Sequence, residues 1–223
     1  MNLSKSFEFF DPSTCKERIN IIGCGSVGST IAELLVRFGL TKFTLYDFDY
    51  VEPKNIVNQM FTTKHLGLEK VDALENILKD INPEITCRKY NQGWTDQPLN
   101  GYVFLCVDSI ELRRKIVEAN LYNSFVKGMF DFRTGLTDAQ SYAADWSNLK
   151  DRKNLLATMN FTDEEAKAQN PVSACNVELC VAPTVRLICN AGVANFINFL
   201  KGKPLHKQII TDAFNLEKGI DAI

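Results

Sequence analysis

The chain has 223 residues, is 45% hydrophobic and carries a formal net charge of −2. That length and apolar content suit one large domain with a real core, or a domain plus a small extension. The near-neutral balance supplies no global basic field for nucleic acid, and a local cluster such as Arg113-Arg114-Lys115 does not amount to a patch. Arg18 to Ile22 is a short apolar run that meets a glycine turn, Ile21-Ile22-Gly23-Cys24-Gly25-Ser26-Val27-Gly28. Val27, Ile31, Leu34, Leu35 and Phe38 then recur at helical spacing, with Gly39 placed to cap the end. Lys42 to Tyr46 reads as a second strand and completes a β-α-β unit.

Leu68 to Lys79 carries Val71, Leu74 and Leu78 on one helical face, and Asn82-Pro83 stops it. Ile85 to Tyr90 is a third strand. Tyr102 to Val107 is a continuous apolar run, as expected of a parallel strand covered on both faces. Ile110 to Leu121 reads as a helix and Phe125 to Phe130 as a further strand. The alternation predicts an α/β fold with a doubly wound, mostly parallel, Rossmann-like sheet.

Past Tyr142 the pattern changes. Trp146 to Ala174 is polar and weakly periodic, with one short helix marked by the capping box Thr162 to Glu165. A segment that long with little structure is functional or mobile. Val181 to Leu200 is the most membrane-like stretch, but Arg186, Asn190, Asn195 and Asn198 interrupt it. Carrying the arginine alone into hydrocarbon would cost roughly 3 kcal/mol, so the stretch reads as a buried helix of a soluble protein. Lys207 to Phe214 is a late strand, giving a C-terminal extension of helix and strand.

The glycine turn follows a strand and opens an amphipathic helix, the context in which such a turn binds phosphate. Gly23 permits the tight turn, Gly25 lets a phosphate approach the backbone, and Gly28 lets helix and strand pack closely. Asp47, at the end of the second strand, is an acceptor for ribose hydroxyls; NAD and ATP both carry that ribose. Asp49 is either a second site acid or a solvated loop residue. On the residues alone Lys70 reads first as a surface lysine on an amphipathic helix; Asp108, after the apolar strand, reads as a strand-end ligand residue, a helix N-cap or both.

Downstream of the turn come Leu45-Tyr46-Asp47-Phe48-Asp49, Val51-Glu52-Pro53-Lys54-Asn55, Asn58-Gln59, Lys70 within HLGLEKVDAL, and Asp108 to Arg114 within VFLCVDSIELRR. Together these blocks resemble the ThiF/MoeB superfamily, the fold of ubiquitin-activating enzymes, closely from Ile21 to Gly135 and loosely beyond. The resemblance implies a single adenylation domain over 1–223. Its nucleotide-binding core would be 15–145, its polar crossover or active-site loop 146–180, and its C-terminal helix and strand 181–223. It implies ATP and Mg²⁺ as cofactors: Asp47 on the ribose, Asn55, Gln59 and Lys70 around the triphosphate, and Asp108 on Mg²⁺. Arg113 occupies another recurring basic position and would be catalytic; the alternative is a helix-surface arginine paired with Glu111 or Glu118. The family usually reads Asn-Leu-Asn-Arg-Gln, whereas this chain reads Asn55-Ile56-Val57-Asn58-Gln59, so Asn58 replaces a phosphate-binding arginine. Arg113, Arg114 or an arginine of a second subunit would have to compensate. The block Phe130-Asp131-Phe132-Arg133-Thr134-Gly135 resembles a segment of less characterised bacterial and mobile-element relatives, where Arg133 would line the site or anchor the loop.

Seven cysteines, at 15, 24, 87, 106, 175, 180 and 189, form no C-x-x-C pair. The zinc site of many bacterial relatives is therefore not expected. The odd count, with no secretory signal, points to a reducing compartment, the cytoplasm. Cys87 and Cys106 lie in apolar runs as small buried hydrophobes. Relatives often move an acyl group onto a cysteine. Cys175, closing the polar segment, is the first candidate for that catalytic thiol, Cys180 is the second, and Cys189 reads as core.

The implied activity is ATP-dependent adenylation of the C-terminal carboxylate of a ubiquitin-like or sulfur-carrier protein ending in glycine, with possible thioester transfer to Cys175. The expected protein is a homodimer whose apolar C-terminal helix helps form the interface, with neither nucleic acid nor membrane as a partner. Two other readings stand beside it. One is a nucleotide-binding scaffold without chemistry, supported by Asn58. The other is an NAD-dependent oxidoreductase, in which Asn55, Gln59 and Lys70 have no role.

Overall fold

Strand and helix alternate through the first half of the computed structural model, which describes residues 1–169, 172–173 and 179–221. The elements are β1 (Ile19–Ile22), α1 (Ser26–Arg37), β2 (Lys42–Tyr46), α2 (Lys70–Ile81), β3 (Thr86–Tyr90), β4 (Gly101–Leu105), α3 (Ile110–Asn120) and β5 (Val126–Thr134). Then follow β6 (Asp138–Asp145), α4 (Leu149–Ala157), α5 (Asp163–Gln169), α6 (Ala182–Leu200), β7 (Gln208–Asp212) and β8 (Glu217–Ile220).

The strands form one eight-stranded sheet in the order β3-β2-β1-β4-β5-β6-β7-β8. The first five are parallel and the last three are added antiparallel. Successive residues of β1 point to opposite faces, and both faces are covered. Ile19 and Ile21 join a core with Ile31 and Leu35 of α1, Val71 and Leu74 of α2, and Val185 and Phe196 of α6. Ile22 joins the opposite core, with Ile116 of α3, Leu155 of α4 and Trp146. This is the doubly wound Rossmann-like fold with a helix-and-strand extension that the alternation predicts.

The strand order reverses at β1, whose neighbours are β2 and β4. In open α/β sheets the crevice outside the carboxyl ends of strands at such a point is the ligand site. The turn after β1 and the residues after β4 meet there.

Several elements depart from the sequence reading, which named neither β6 nor β8. The polar stretch after Trp146 holds α4 as well as the short helix α5. Only Leu155 of α4 is buried, so its apolar period is too sparse to read. The capping box is present, with Thr162 N donating to Glu165 Oε2 at 2.8 Å and Glu165 N donating to Thr162 Oγ1 at 3.2 Å. β5 runs on to Thr134, which places Asp131 and Arg133 in a strand. α6 is the buried helix that the sequence reading expects, packed against α1 and the sheet through Val185, Ile188, Cys189, Val193 and Phe196. No helix among the described residues is long and apolar enough to cross a membrane.

Candidate active site

The glycine turn is shaped by its neighbours at two positions and left open at the third. Gly23 has φ +93°, and a Cβ there would lie 2.7 Å from the Cys106 carbonyl oxygen. A Cβ on Gly28 would lie 1.9 Å from the Gly23 carbonyl oxygen. Both close approaches are structural and seat α1 against the ends of β1 and β4. Gly25 differs: a Cβ there would meet only Gln59 Nε2, at 3.9 Å. The protein leaves that backbone face clear, and no side chain caps the N-terminus of α1 beside it. Gln59 Oε1 is buried without a hydrogen-bond partner. An uncapped helix end and a clear backbone face, with the donor Gln59 Nε2 turned toward it, fit a bound phosphate group.

Asp47 braces this turn. Its Oδ2 accepts from Cys24 N at 2.6 Å and its Oδ1 from Asp49 N at 2.9 Å. Burial pushes its carboxyl above the usual range, opposed by Lys70 and by the two backbone donors. Each oxygen keeps a further lone pair for a hydroxyl. Lys70, the first residue of α2, is not a surface lysine. Its side chain is 8% exposed and its Nζ sits 2.7 Å from Asp49 Oδ2. Asp49 is thus the anchor of a buried ammonium while its own side chain stays 50% exposed in the loop. Asn55 is buried and its side-chain oxygen accepts from Glu52 N at 2.8 Å, which closes the turn that presents Asn58 and Gln59. Asn58 donates from Nδ2 to the Cys180 carbonyl at 3.1 Å, tying this loop to the segment before α6.

Across the crevice, Asp108 follows β4. It is exposed and makes no side-chain hydrogen bond or ion pair among the described residues. It is not the cap of α3; Ser109 is, accepting from Leu112 N at 3.0 Å. A lone exposed carboxylate at a strand end matches Mg²⁺, which is held by one or two carboxylates together with substrate phosphates.

Arg113 takes a position that neither sequence reading anticipated. It is 5% exposed and turned under the strand ends. It donates to the Leu105 carbonyl at 3.2 Å, to the Val107 carbonyl, and to the carboxylate of Asp131, which is 0% exposed. The alternative of a surface arginine paired with Glu111 or Glu118 does not hold. Its hydrogen bonds instead fix the two residues on either side of Cys106, immediately ahead of Asp108. Arg133 grips the other oxygen of Asp131 at 2.7 Å, donates to the Thr158 carbonyl and hydroxyl at 2.8 Å each, and lies over the Tyr142 ring at 4.5 Å. Arg114 donates to the carbonyls of Met159 and Phe161. Asp163 of α5 accepts from Ile110 N at 2.6 Å and from the Ser109 hydroxyl at 2.8 Å. The crossover is thus clamped to the N-terminus of α3, beside Asp108. Sequence reasoning missed Asp131 and Asp163. An acid inside the apolar run Met129-Phe130-Asp131-Phe132 was a signal for the first, because a buried charge needs a partner.

Among the cysteines, Cys175 lies outside the described residues. Burial pushes the thiols of Cys24, Cys106 and Cys189 up, and that of Cys87 up to about 12, which makes them poor nucleophiles. Cys180 is half-buried just ahead of α6.

The model of the ThiF family matches residues 14–218. The chain belongs to the ThiF family. Among curated relatives, ubiquitin-like modifier-activating enzyme 5 of Bombyx mori is 35% identical over 118 residues, covering 45% of this chain and 30% of that enzyme. The same enzyme of Gallus gallus is 35% identical over 116 residues, covering 44% and 29%. This ThiF chain's match thus spans about a third of the length of the curated relatives. Among solved structures, PaaA superposes with a TM-score of 0.73 at 14% identity, covering 94% of this chain and 65% of that one. Escherichia coli MccB solved with ATP gives 0.68 at 18% identity, covering 94% and 64%. The microcin C7 biosynthetic enzyme MccB in complex with N-formylated MccA gives 0.69 at 17%, covering 94% and 65%. At these identities the likeness is one of fold, and it extends the ThiF fold through the antiparallel extension.

Proposed function

We propose that this ThiF-family chain uses ATP and Mg²⁺ to adenylate the C-terminal carboxylate of a small ubiquitin-like protein, sulfur carrier or peptide. The observation that carries this reading is the buried Lys70 ammonium beside Asp47 at the carboxyl end of β2. A hydride-transfer enzyme has a use for the ribose-binding acid but none for a buried cation next to it. The modifier-activating relatives and the ATP complex of MccB support the same choice.

In this reading the α1 N-terminus receives phosphate over Gly25, and Asp47 accepts from the ribose hydroxyls. Asn55, Gln59 and Lys70 border the triphosphate. Asp108 would hold Mg²⁺, which when bound neutralises phosphate charge. Arg113 has a positioning role, holding the β4 terminus that presents Asp108. A carboxylate oxygen of the substrate attacks the α-phosphorus. The bond from that phosphorus to the β-bridging oxygen breaks, and pyrophosphate leaves with the electron pair. Lys70 moves from Asp49 toward the phosphates and stabilises the charge that develops. In a second step a thiolate, with Cys175 the first candidate and Cys180 the second, attacks the acyl carbon and releases AMP. We take 1–223 as one adenylation domain acting in the cytoplasm as a homodimer.

ATP–pyrophosphate exchange tests the proposal, run with Mg²⁺ and candidate carriers encoded beside the gene, comparing wild type with Asp108→Ala. Exchange that requires both the carrier and Asp108 is the expected result. ATP binding without exchange would instead favour a nucleotide-holding scaffold, a reading helped by the engagement of Asn58 with the Cys180 carbonyl. No ATP binding would sink both.

A further inference from the structure

Arg186 is the single charged residue of α6 and has no acid to pair with among the described residues. Three other cations of the crevice are matched by acids, Lys70 by Asp49, and Arg113 and Arg133 by Asp131, while Arg114 is held by the Met159 and Phe161 carbonyls. Arg186 is half-buried, and its Nη1 partners among the described residues are the Thr30 hydroxyl oxygen at 2.7 Å and the Met60 sulfur at 2.6 Å. A hydroxyl and a thioether are weak acceptors for a guanidinium. A partly desolvated cation without a counter-charge is unfavourable, so the site is built for an anion it does not itself contain.

The neighbours of that guanidinium are the walls of the glycine turn. The Thr30 hydroxyl donates to the carbonyl of Ser26, the first residue of α1, at 2.7 Å. Met60 N donates to Ser29 Oγ of the same helix at 3.2 Å. Gln59, immediately before Met60, reaches the open face of Gly25. The Asn58 amide holds the Cys180 carbonyl and so fixes the start of α6 against this loop.

We propose that Arg186 is the arginine of the nucleotide site. Its guanidinium leaves Thr30 and Met60 to take the β- and γ-phosphates of ATP, supplying from α6 the charge that Asn58 does not supply from the loop. A planar guanidinium is suited to two phosphate oxygens at once, and it would hold the departing pyrophosphate. The inference rests on the ATP reading above.

The test is calorimetric titration of the full chain with ATP and with AMP, which lacks the β- and γ-phosphates, for wild type, Arg186→Ala, and Asn58→Arg combined with Arg186→Ala. Arg186→Ala should weaken ATP by about 10- to 100-fold, the size of a lost charge-assisted contact, and leave AMP unchanged. The double variant should regain ATP affinity, which a merely damaged fold would not do. Unchanged ATP affinity in Arg186→Ala, or an equal loss for ATP and AMP, overturns the role of Arg186 while the nucleotide site stands. Failure of the wild type to bind either nucleotide removes the site and the inference together.

Discussion

The Lys70 ammonium and the Asp49 carboxylate lie 2.7 Å apart, but the lysine side chain is 8% exposed and the aspartate 50%. The buried cation is thus paired with an acid that is itself half in water. Such a pair can open toward an incoming phosphate without leaving a charge stranded, because water receives the released carboxylate.

Lys70→Ala should therefore lower carrier-dependent pyrophosphate exchange by about 10²- to 10³-fold, the usual loss for one electrostatic contact to developing charge. Asp49→Asn should cost less than about tenfold, since it removes only the resting partner. Equal losses in the two variants would mean that Asp49 itself acts in the chemistry.

Asp108 is exposed and unpaired among the described residues. Asp108→Asn should leave the unfolding free energy in urea within about 0.5 kcal/mol of wild type, as surface substitutions do. Exchange activity should nevertheless be lost. A drop in stability matching the drop in activity would argue that Asp108 supports the fold and not Mg²⁺.

Asp131 is the reverse case, fully buried between Arg113 and Arg133. Asp131→Ala strands the Arg113 charge and should destabilise the chain by about 3–5 kcal/mol in urea unfolding. Arg133→Ala leaves Asp131 its other partner and should cost less. An Asp131→Ala protein of wild-type stability would mean that Arg113 finds another acceptor.

Asp163 predicts a pH effect. Burial alone would raise its carboxyl, but hydrogen bonds from Ser109, Glu111 N and Ile110 N, with Lys167 nearby, outweigh it and hold the group below the usual range. A depressed carboxyl contributes stability above its unfolded pKa, near 4, and loses it as pH falls through the lower folded value. The melting temperature of wild type should thus approach that of Asp163→Asn below about pH 4 and exceed it at pH 6, where the cap is worth about 1 kcal/mol. A gap between the two proteins that is constant from pH 6 to pH 3 would remove the carboxylate from the explanation.

Much of the site was legible in the chain. β1, the glycine turn, α1 and β2 follow from apolar period and turn chemistry confined to short windows, and Asp47 falls at the strand end where such a unit places an acid. The later strands were less so. β6 buries Ala139, Ser141, Ala143 and Ala144, small residues with weak strand character, and β8 is an edge strand with little to bury. α4 buries a single residue and leaves no stripe.

The sequence by itself determined the doubly wound order and the place of the glycine turn, because hydrophobic period and glycine geometry act between near neighbours. Only the tertiary structure decided how the charges are shared. It sank Arg113 onto Asp131, 18 positions away, braced the N-terminus of α3 with Asp163 from 53 positions away, and brought Arg186 to Thr30 across 156. Which acid meets which base depends on burial and on the folding of distant segments onto one another, and no local pattern carries that information.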